Sequence, residues 1–93
     1  MRTIERTGQF KRDYKRMLKG TYSDKLDSLV MEVVILLVTD NPLPAKYSDH
    51  SLSGDWKDHR DCHIKPDVVL KYRKPTPEVL QLVRIGSHSD LGF

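Results

Sequence analysis

The stretch RDCHIKPDVVLKYR, residues 60–73, decides the fold because its residues alternate with a period of two. In its first half, Cys62 and Ile64 alternate with Asp61 and His63. Successive side chains of a strand point to opposite faces of the sheet. The dipeptide KP between the two halves permits a tight turn. The stretch therefore predicts a β-hairpin with one apolar face and with Asp61 and His63 on the other.

Two helices are predicted before this hairpin. Residues 2–6 favour a short strand, and Thr7 is placed to cap the helix that follows. Apolar residues continue at helical spacing until Gly20, where a glycine can end the helix. Ser23 or Asp24 is placed to cap a second helix, which we expect to supply most of the core. Its apolar residues recur at intervals of three and four: Leu26, Leu29, Val30, Val33, Leu36 and Leu37.

The period of two returns in EVLQLVRIG, residues 78–86, after a turn at KPTP, residues 74–77. In this strand we expect Val79, Val83 and Ile85 on one face and Leu80, Leu82 and Arg84 on the other. The element order is then β-α-α-β-β-β. It predicts a single α+β domain over residues 1–93, with two antiparallel helices packed on one face of a small, mostly antiparallel sheet.

Composition indicates an ordinary globular chain. Of its 93 residues, 38% are hydrophobic and 31% are charged, which argues against disorder. The one long apolar run, LVMEVVILLV at residues 29–38, contains Glu32 and is too short for a membrane span of about 20 residues. No segment resembles a signal peptide, and the single cysteine suits a reducing compartment. We expect a cytoplasmic protein without membrane contact.

The sequence HRDCHIKPD, residues 59–67, is rich in reactive side chains and allows three kinds of site. A thiol nucleophile is disfavoured, because alternation places Cys62 on the face that the helices should cover. A metal site is disfavoured as well. His59 and His63 are four residues apart on a strand, about 13 Å between Cα atoms, whereas zinc ligands meet within about 2.3 Å of one point.

Acid–base chemistry is the third possibility. Asp61 and His63 share the uncovered face of the sheet, and Asp67 lies at the edge of the hairpin. His50 ends the preceding loop, and His88 follows the last strand. Histidine titrates near neutral pH and so suits proton transfer. The last strand also carries Arg84, whose fixed charge suits a phosphate. Together these residues would suit RNA cleavage through attack of the ribose 2′-OH on its own phosphate, without a metal or cofactor.

The first helix is strongly basic. KRDYKRMLK, residues 11–19, contains five of the sixteen Lys and Arg residues of a chain whose formal net charge is +3. Clustered positive charge on a small domain is typical of nucleic-acid binding, although a solvated helix surface is equally compatible with it. The candidate RNA-binding residues of this helix are Lys11, Arg12, Lys15, Arg16 and Lys19.

The stretches NPLPAKYSDHSLSGDWKDHRDCHIKPDVVLKYR and LVRIGSHSDL closely resemble the YafQ branch of the RelE/ParE toxin superfamily. The resemblance covers most of the chain. It implies a bacterial type II toxin with a microbial-ribonuclease-like fold that cuts mRNA in the ribosomal A site. It also implies a neutralising antitoxin of the ribbon-helix-helix, RelB-like or DinJ-like type. The family's site residues map to His50, Asp61, His63, Asp67 and His88, and Arg84 occupies the place of a phosphate-facing arginine.

The C-terminus departs from the family pattern. Where the family commonly ends HSDLF, this chain reads HSDLGF, so that the aromatic residue is displaced to Phe93. We expect Phe93 to replace that aromatic in part and to stack on a substrate base more weakly than in relatives, because Gly92 gives the backbone freedom to fold back.

A second function stays open at this point. A toxin-like fold could act without catalysis by binding a protein, as ParE-type toxins do, or the altered C-terminus could leave a weakened toxin. The basic helix would serve an acidic antitoxin segment as well as ribosomal RNA. The titratable residues of the uncovered sheet face favour the enzyme.

Overall fold

The computed structural model describes residues 1–91. The chain begins with the strand β1 (Thr3–Arg6) and the helices α1 (Gly8–Met17) and α2 (Leu26–Val38). One short strand and three longer strands follow. The short strand is β2 (His50–Ser51), and the three are β3 (Arg60–Lys65), β4 (Val68–Thr76) and β5 (Val79–Gly86). A last turn of helix, α3 (His88–Leu91), follows. The strands form one sheet in the order β1-β5-β4-β3-β2.

The predicted α+β architecture is confirmed, with additions. Within residues 1–91, β1 and β5 run parallel, and the other neighbouring strands are antiparallel. The elements β2 and α3 were not predicted, because they are too short to show a periodic pattern. The turn predicted at residues 74–77 is wrong as well, since β4 continues through Thr76 and pairs there with Val79.

The helices differ at their ends from the prediction. The Thr7 hydroxyl accepts a hydrogen bond from the backbone N–H of Phe10 at 3.0 Å, as expected of an N-cap. Helix α1 nevertheless ends at Met17 rather than at Gly20. Helix α2 begins after Lys25, without a side-chain cap, so neither Ser23 nor Asp24 caps it. Turns over residues 18–25 connect the two helices.

Both helices pack on one face of the sheet and enclose the core. From β3 and β4, Cys62, Ile64, Val68, Leu70 and Tyr72 point into it. From α2 the buried residues include Val34 and Val38, while Leu36 is only half-buried and lies outside the main cluster. The opposite face of β3 and β4, which carries Asp61 and His63, is left to the short elements and loops.

A β-bulge makes the prediction for β5 wrong. Tyr72 pairs with Leu82 and Lys71 pairs with Arg84, so β5 has one extra residue, Val83, between these pairs. An extra residue reverses the alternation beyond it. Ile85 therefore joins Leu80 and Leu82 in the core, although simple alternation placed it on the other face.

Candidate active site

A row of four ionisable residues crosses the sheet face that the helices leave uncovered. His50 of β2 pairs with Asp61 of β3, Asp61 pairs with Lys71 of β4, and Lys71 pairs with Arg84 of β5. Directly paired residues of neighbouring strands lie on the same face with Cβ atoms about 5 Å apart. The row therefore places a titratable base, an acid and two cations next to one another.

Three histidine rings form a chain along one side of this row. The ring of His63 lies 5.0 Å from that of His88, centroid to centroid, and the two meet edge to face at 66°. The rings of His63 and His50 are 6.2 Å apart. The Nδ1 atom of His50 lies 2.8 Å from the Ser48 carbonyl oxygen, which orients the ring. The structure thus brings together His50, His63 and His88 from β2, β3 and α3, as the sequence predicted.

Asp61 is the buried member of the row. Asp61 is 2% exposed, and its Oδ1 atom has no hydrogen-bond partner among residues 1–91. Burial raises the pKa of Asp61 above its usual range, while the positive charges of Lys71 and of the three histidines act in the opposite direction. An unpartnered buried carboxylate oxygen is costly, and such groups concentrate at functional sites.

Lys71 is the residue of the row that the sequence analysis missed. It is 1% exposed, and its ammonium group lies 3.7 Å from the centroid of the Trp56 ring. Burial lowers the pKa of Lys71, and the neighbouring Asp61 carboxylate opposes that shift. Alternation along β4 placed Lys71 on the open face, and a strand lysine there looks like an ordinary solvated side chain.

Arg84 is held by a buried acid that the sequence analysis also missed. Asp13 of α1 is fully buried and accepts hydrogen bonds from Arg84 Nε at 2.8 Å and Arg84 Nη2 at 3.1 Å. It also accepts the backbone N–H of Ile85 at 3.2 Å, where β5 extends beyond the end of β1. Burial opposes ionisation of Asp13, but the bonds from Arg84, Gln9 and Ile85 outweigh it and lower its pKa. Asp13 thereby fixes the guanidinium of Arg84.

Asp67 lies in the turn between β3 and β4 and is exposed. Its carboxylate accepts a hydrogen bond from the Tyr22 hydroxyl at 2.9 Å, which links the hairpin to the segment between the helices. This bond raises the pKa of Tyr22. Asp67 thus has a structural bond in addition to its place in the family pattern, and its role in the chemistry stays a prediction.

Cys62 is fully buried on the opposite face, among the core residues. Burial raises the pKa of its thiol, and the nearby Asp49 and Asp61 carboxylates add to that shift. A thiol in such surroundings is a poor nucleophile. The predicted burial of Cys62 is confirmed.

The five basic residues at positions 11–19 are all exposed, but they are not equivalent. Lys19 lies beyond the last residue of α1. Arg16 forms ion pairs with Asp13 at 3.3 Å and with Asp90 at 3.8 Å. Arg12 donates a hydrogen bond to the Gln9 side chain at 3.1 Å. Lys11 and Lys15 are therefore the better candidates for contact with a phosphate.

Comparison with known proteins identifies the family. The model of YafQ, a bacterial toxin of type II toxin–antitoxin systems, matches residues 2–92. The chain belongs to the YafQ toxin family. The mRNA interferase toxin YafQ of Escherichia coli K12 is 40% identical over 90 residues, 97% of this chain and 95% of the relative.

Solved YafQ-family structures share the fold. In the crystal structure of the Escherichia coli DinJ–YafQ complex, a chain with 38% identity matches with a TM-score of 0.83 over 98% of both chains. A metal-bound toxin from Helicobacter pylori is 44% identical, with a TM-score of 0.83 over 98% of this chain and 99% of that one.

Within residues 1–91, no three His, Cys, Asp or Glu side chains are grouped so that they could hold a metal ion. In the same range no helix has the length and apolarity needed to cross a bilayer. Phe93, the predicted stacking residue, lies outside the described residues.

Proposed function

We propose that the chain is the toxin of a type II toxin–antitoxin system and an endoribonuclease that cuts mRNA in the A site of the ribosome. Membership of the YafQ family and 40% identity to an mRNA interferase over 90 residues support the class of activity. The ribosome, the mRNA substrate and a cytoplasmic location are part of this proposal.

The observation that carries the proposal is the chain of three histidine rings beside a buried carboxylate. The rings of His50, His63 and His88 lie 5.0 to 6.2 Å from their nearest neighbour. Asp61 Oδ1 is buried beside them and has no hydrogen-bond partner in the described part of the chain. A binding surface has no need of several titratable groups around an unsatisfied acid. General acid–base catalysis needs such groups within reach of one reaction centre.

The proposed reaction uses two proton transfers. One basic group of the cluster takes the proton of the ribose 2′-OH, and the oxygen attacks the adjacent phosphorus. A second group, in its protonated form, gives a proton to the departing 5′-oxygen. The products are a 2′,3′-cyclic phosphate and a 5′-hydroxyl end. Imidazoles can serve both roles because histidine exists in both protonation states near neutral pH.

Arg84 and Asp61 support this transfer in different ways. Arg84 offers a fixed positive charge to the phosphate oxygens, on which negative charge grows in the transition state. Its bonds to the buried Asp13 hold the guanidinium in place before substrate binds. Asp61, when ionised, can stabilise a positively charged imidazole beside it or accept a hydrogen bond from the substrate. Asp67 completes the proposed set on the family pattern alone.

A cognate antitoxin is the proposed protein partner, because the related YafQ of Escherichia coli is found in complex with DinJ. The basic surface of α1 is the proposed contact with ribosomal RNA. Its exposed lysines can neutralise phosphates and release counterions, which makes binding sensitive to salt.

A ribosome-based cleavage assay tests the proposal. Purified toxin is added to ribosomes translating a defined mRNA, and primer extension locates new 5′ ends. His63→Gln should abolish these ends while the melting temperature stays within a few degrees of the unsubstituted protein. Glu5→Gln, on the exposed strand β1 at the other edge of the sheet, is the matched control and should cleave normally. Cleavage by a folded His63→Gln protein, or none by the unsubstituted one, would refute the catalytic role and favour a ParE-like binding function.

A further inference from the structure

Trp56 is a large aromatic residue that is held in place yet exposed on the open face. It ends the 3-10 turn Gly54–Trp56 between β2 and β3, and it is 40% exposed. Three backbone hydrogen bonds fix the turn, among them His59 N–H to the Trp56 carbonyl at 2.9 Å. The His59 ring meets the indole edge to face, 5.1 Å between centroids and 83° between planes.

One face of the indole packs on Lys71, a member of the row of ionisable residues. Lys71 Nζ lies 3.7 Å from the ring centroid, and Lys71 stands between Asp61 and Arg84 in the cross-strand register. The contact is a cation–π interaction, which is strongest when the cation is removed from water, as Lys71 is here. The ring is therefore supported from below at a fixed position directly beside the candidate catalytic residues.

The need to cover the Lys71 ammonium group does not fully explain the position of Trp56. One face of the indole is enough to cover the ammonium group. If that were its whole role, the other face would stabilise the fold more by packing against the protein. Instead, Trp56 stays 40% exposed, on a sheet face that carries charged residues. Rigid, exposed aromatic rings beside cationic groups are the usual platform for the bases of single-stranded nucleic acids.

We propose that Trp56 is a stacking platform for one nucleobase of the RNA substrate, next to the phosphate that is cut. The base stacks on the outer surface of the indole, while Lys71 and His59 keep the ring from turning away. The inference rests on the proposed function, since it takes single-stranded RNA as the substrate.

The first test uses fluorescence, because Trp56 is the only tryptophan of the chain. The purified protein is titrated with a 2′-O-methyl trinucleotide, which cannot be cleaved through its 2′ position. Stacking should quench the tryptophan emission in a saturable way. An abasic trinucleotide with the same backbone and charge is the matched control. It should leave the emission nearly unchanged, since it offers phosphates but no ring.

The second test uses substitutions in the ribosome-based cleavage assay. Trp56→Ala should lower kcat/KM by about 5- to 150-fold, the range that stacking of one base provides. Trp56→Phe keeps an aromatic ring and should recover most of the loss. Met31→Ala is the control, because Met31 is an exposed apolar residue of α2, in the helical layer. It should cleave like the unsubstituted protein.

The outcomes separate the two proposals. If the unsubstituted protein cuts mRNA and Trp56→Ala cuts within twofold of it, the stacking platform is refuted while the proposed function stands. Equal quenching by the abasic and the complete trinucleotide, or no quenching by either, also refutes it. If the unsubstituted protein cuts no mRNA, the proposed function itself fails. Should Trp56→Ala not fold, Trp56→Phe and the fluorescence titration of the unsubstituted protein decide the question.

Discussion

The ion pair between Asp13 and Arg84 should stabilise the fold and also prepare the site for a phosphate. The most informative perturbation is Asp13→Asn, which keeps the shape of the side chain but removes its charge. Asp13 is fully buried and accepts two bonds from Arg84, one from the Ile85 N–H and one from Gln9. An asparagine offers one acceptor oxygen, and its amide group would face donors.

The expected magnitude follows from these bonds. A hydrogen bond to a charged group contributes about 1.5–3 kcal/mol, and a neutral acceptor keeps part of that. We expect Asp13→Asn to lower the free energy of unfolding by about 2–3 kcal/mol, which corresponds to a melting temperature lower by about 8–24 °C for a chain of this size. Arg84→Gln should cost at least as much, about 3–5 kcal/mol, because it leaves the fully buried Asp13 carboxylate without its main partner.

The assay is a double-mutant cycle read by chemical denaturation, with cleavage measured on the same proteins. Asp13→Asn, Arg84→Gln and the double variant should give a coupling energy of about 1–2 kcal/mol. Asp24→Asn, an exposed acid between the helices, is the control and should change stability little. Asp13→Asn should also lower kcat, since Arg84 then loses its fixed orientation.

The pH dependence gives an independent check. Because the pKa of Asp13 is lowered on folding, its ionisation stabilises the protein above the unfolded-state pKa of about 3.8. That contribution is lost as the pH falls through the lower, folded-state value. The stability difference between the unsubstituted protein and Asp13→Asn should therefore be constant from pH 8 to about pH 5 and shrink below about pH 3.8. A difference that persists undiminished in acid, or a coupling energy of zero, would refute the ion-pair account.

Four further predictions concern other parts of the chain. Cys62→Ser should keep cleavage but lose about 1–3 kcal/mol of stability, measured by denaturation, because it buries a hydroxyl in the core. Loss of activity in the folded variant would instead support Cys62 as a nucleophile. Replacing Lys11 and Lys15 by Gln should flatten the salt dependence of ribosome binding by about one unit of slope for each lost phosphate contact, whereas Arg16→Gln should change it less, since that side chain is already paired. Deleting Phe93 should lower cleavage of ribosome-bound mRNA, and unchanged activity would make it a bystander. A chelator of transition metals that spares Mg²⁺ should leave cleavage intact, and inhibition would indicate a required metal.

The sequence predicted well those features that depend on local periodicity. Alternation in β3 correctly separated Cys62 from Asp61 and His63, because one face of the hairpin is apolar and the other is not. The approach of His50 and His88 to His63 was predictable only as a tendency of neighbouring loops. Alternation failed in β5, since Val83 and Ile85 are both apolar and nothing local reveals the bulge between them.

Features that depend on tertiary contacts could not be predicted from the sequence. Asp13 lies within a basic run and looks like one acid on a solvated helix, yet it is the buried partner of Arg84. Lys71 looks like an exposed strand lysine, and its burial depends on Trp56, fifteen residues earlier in the chain. In both cases the partner comes from another element, so no spacing along the chain could reveal it.

The chemistry of the cut ends tests the central proposal most directly. A defined mRNA is placed on ribosomes with the purified toxin, and the products are analysed for their terminal groups. A matched mRNA carries a 2′-deoxy nucleotide on the 5′ side of the cleaved bond. Attack by the 2′-OH predicts a 2′,3′-cyclic phosphate and a 5′-hydroxyl end, with no cut at the deoxy position. A 5′-phosphate end, or undiminished cleavage at the deoxy nucleotide, would contradict the proposed mechanism.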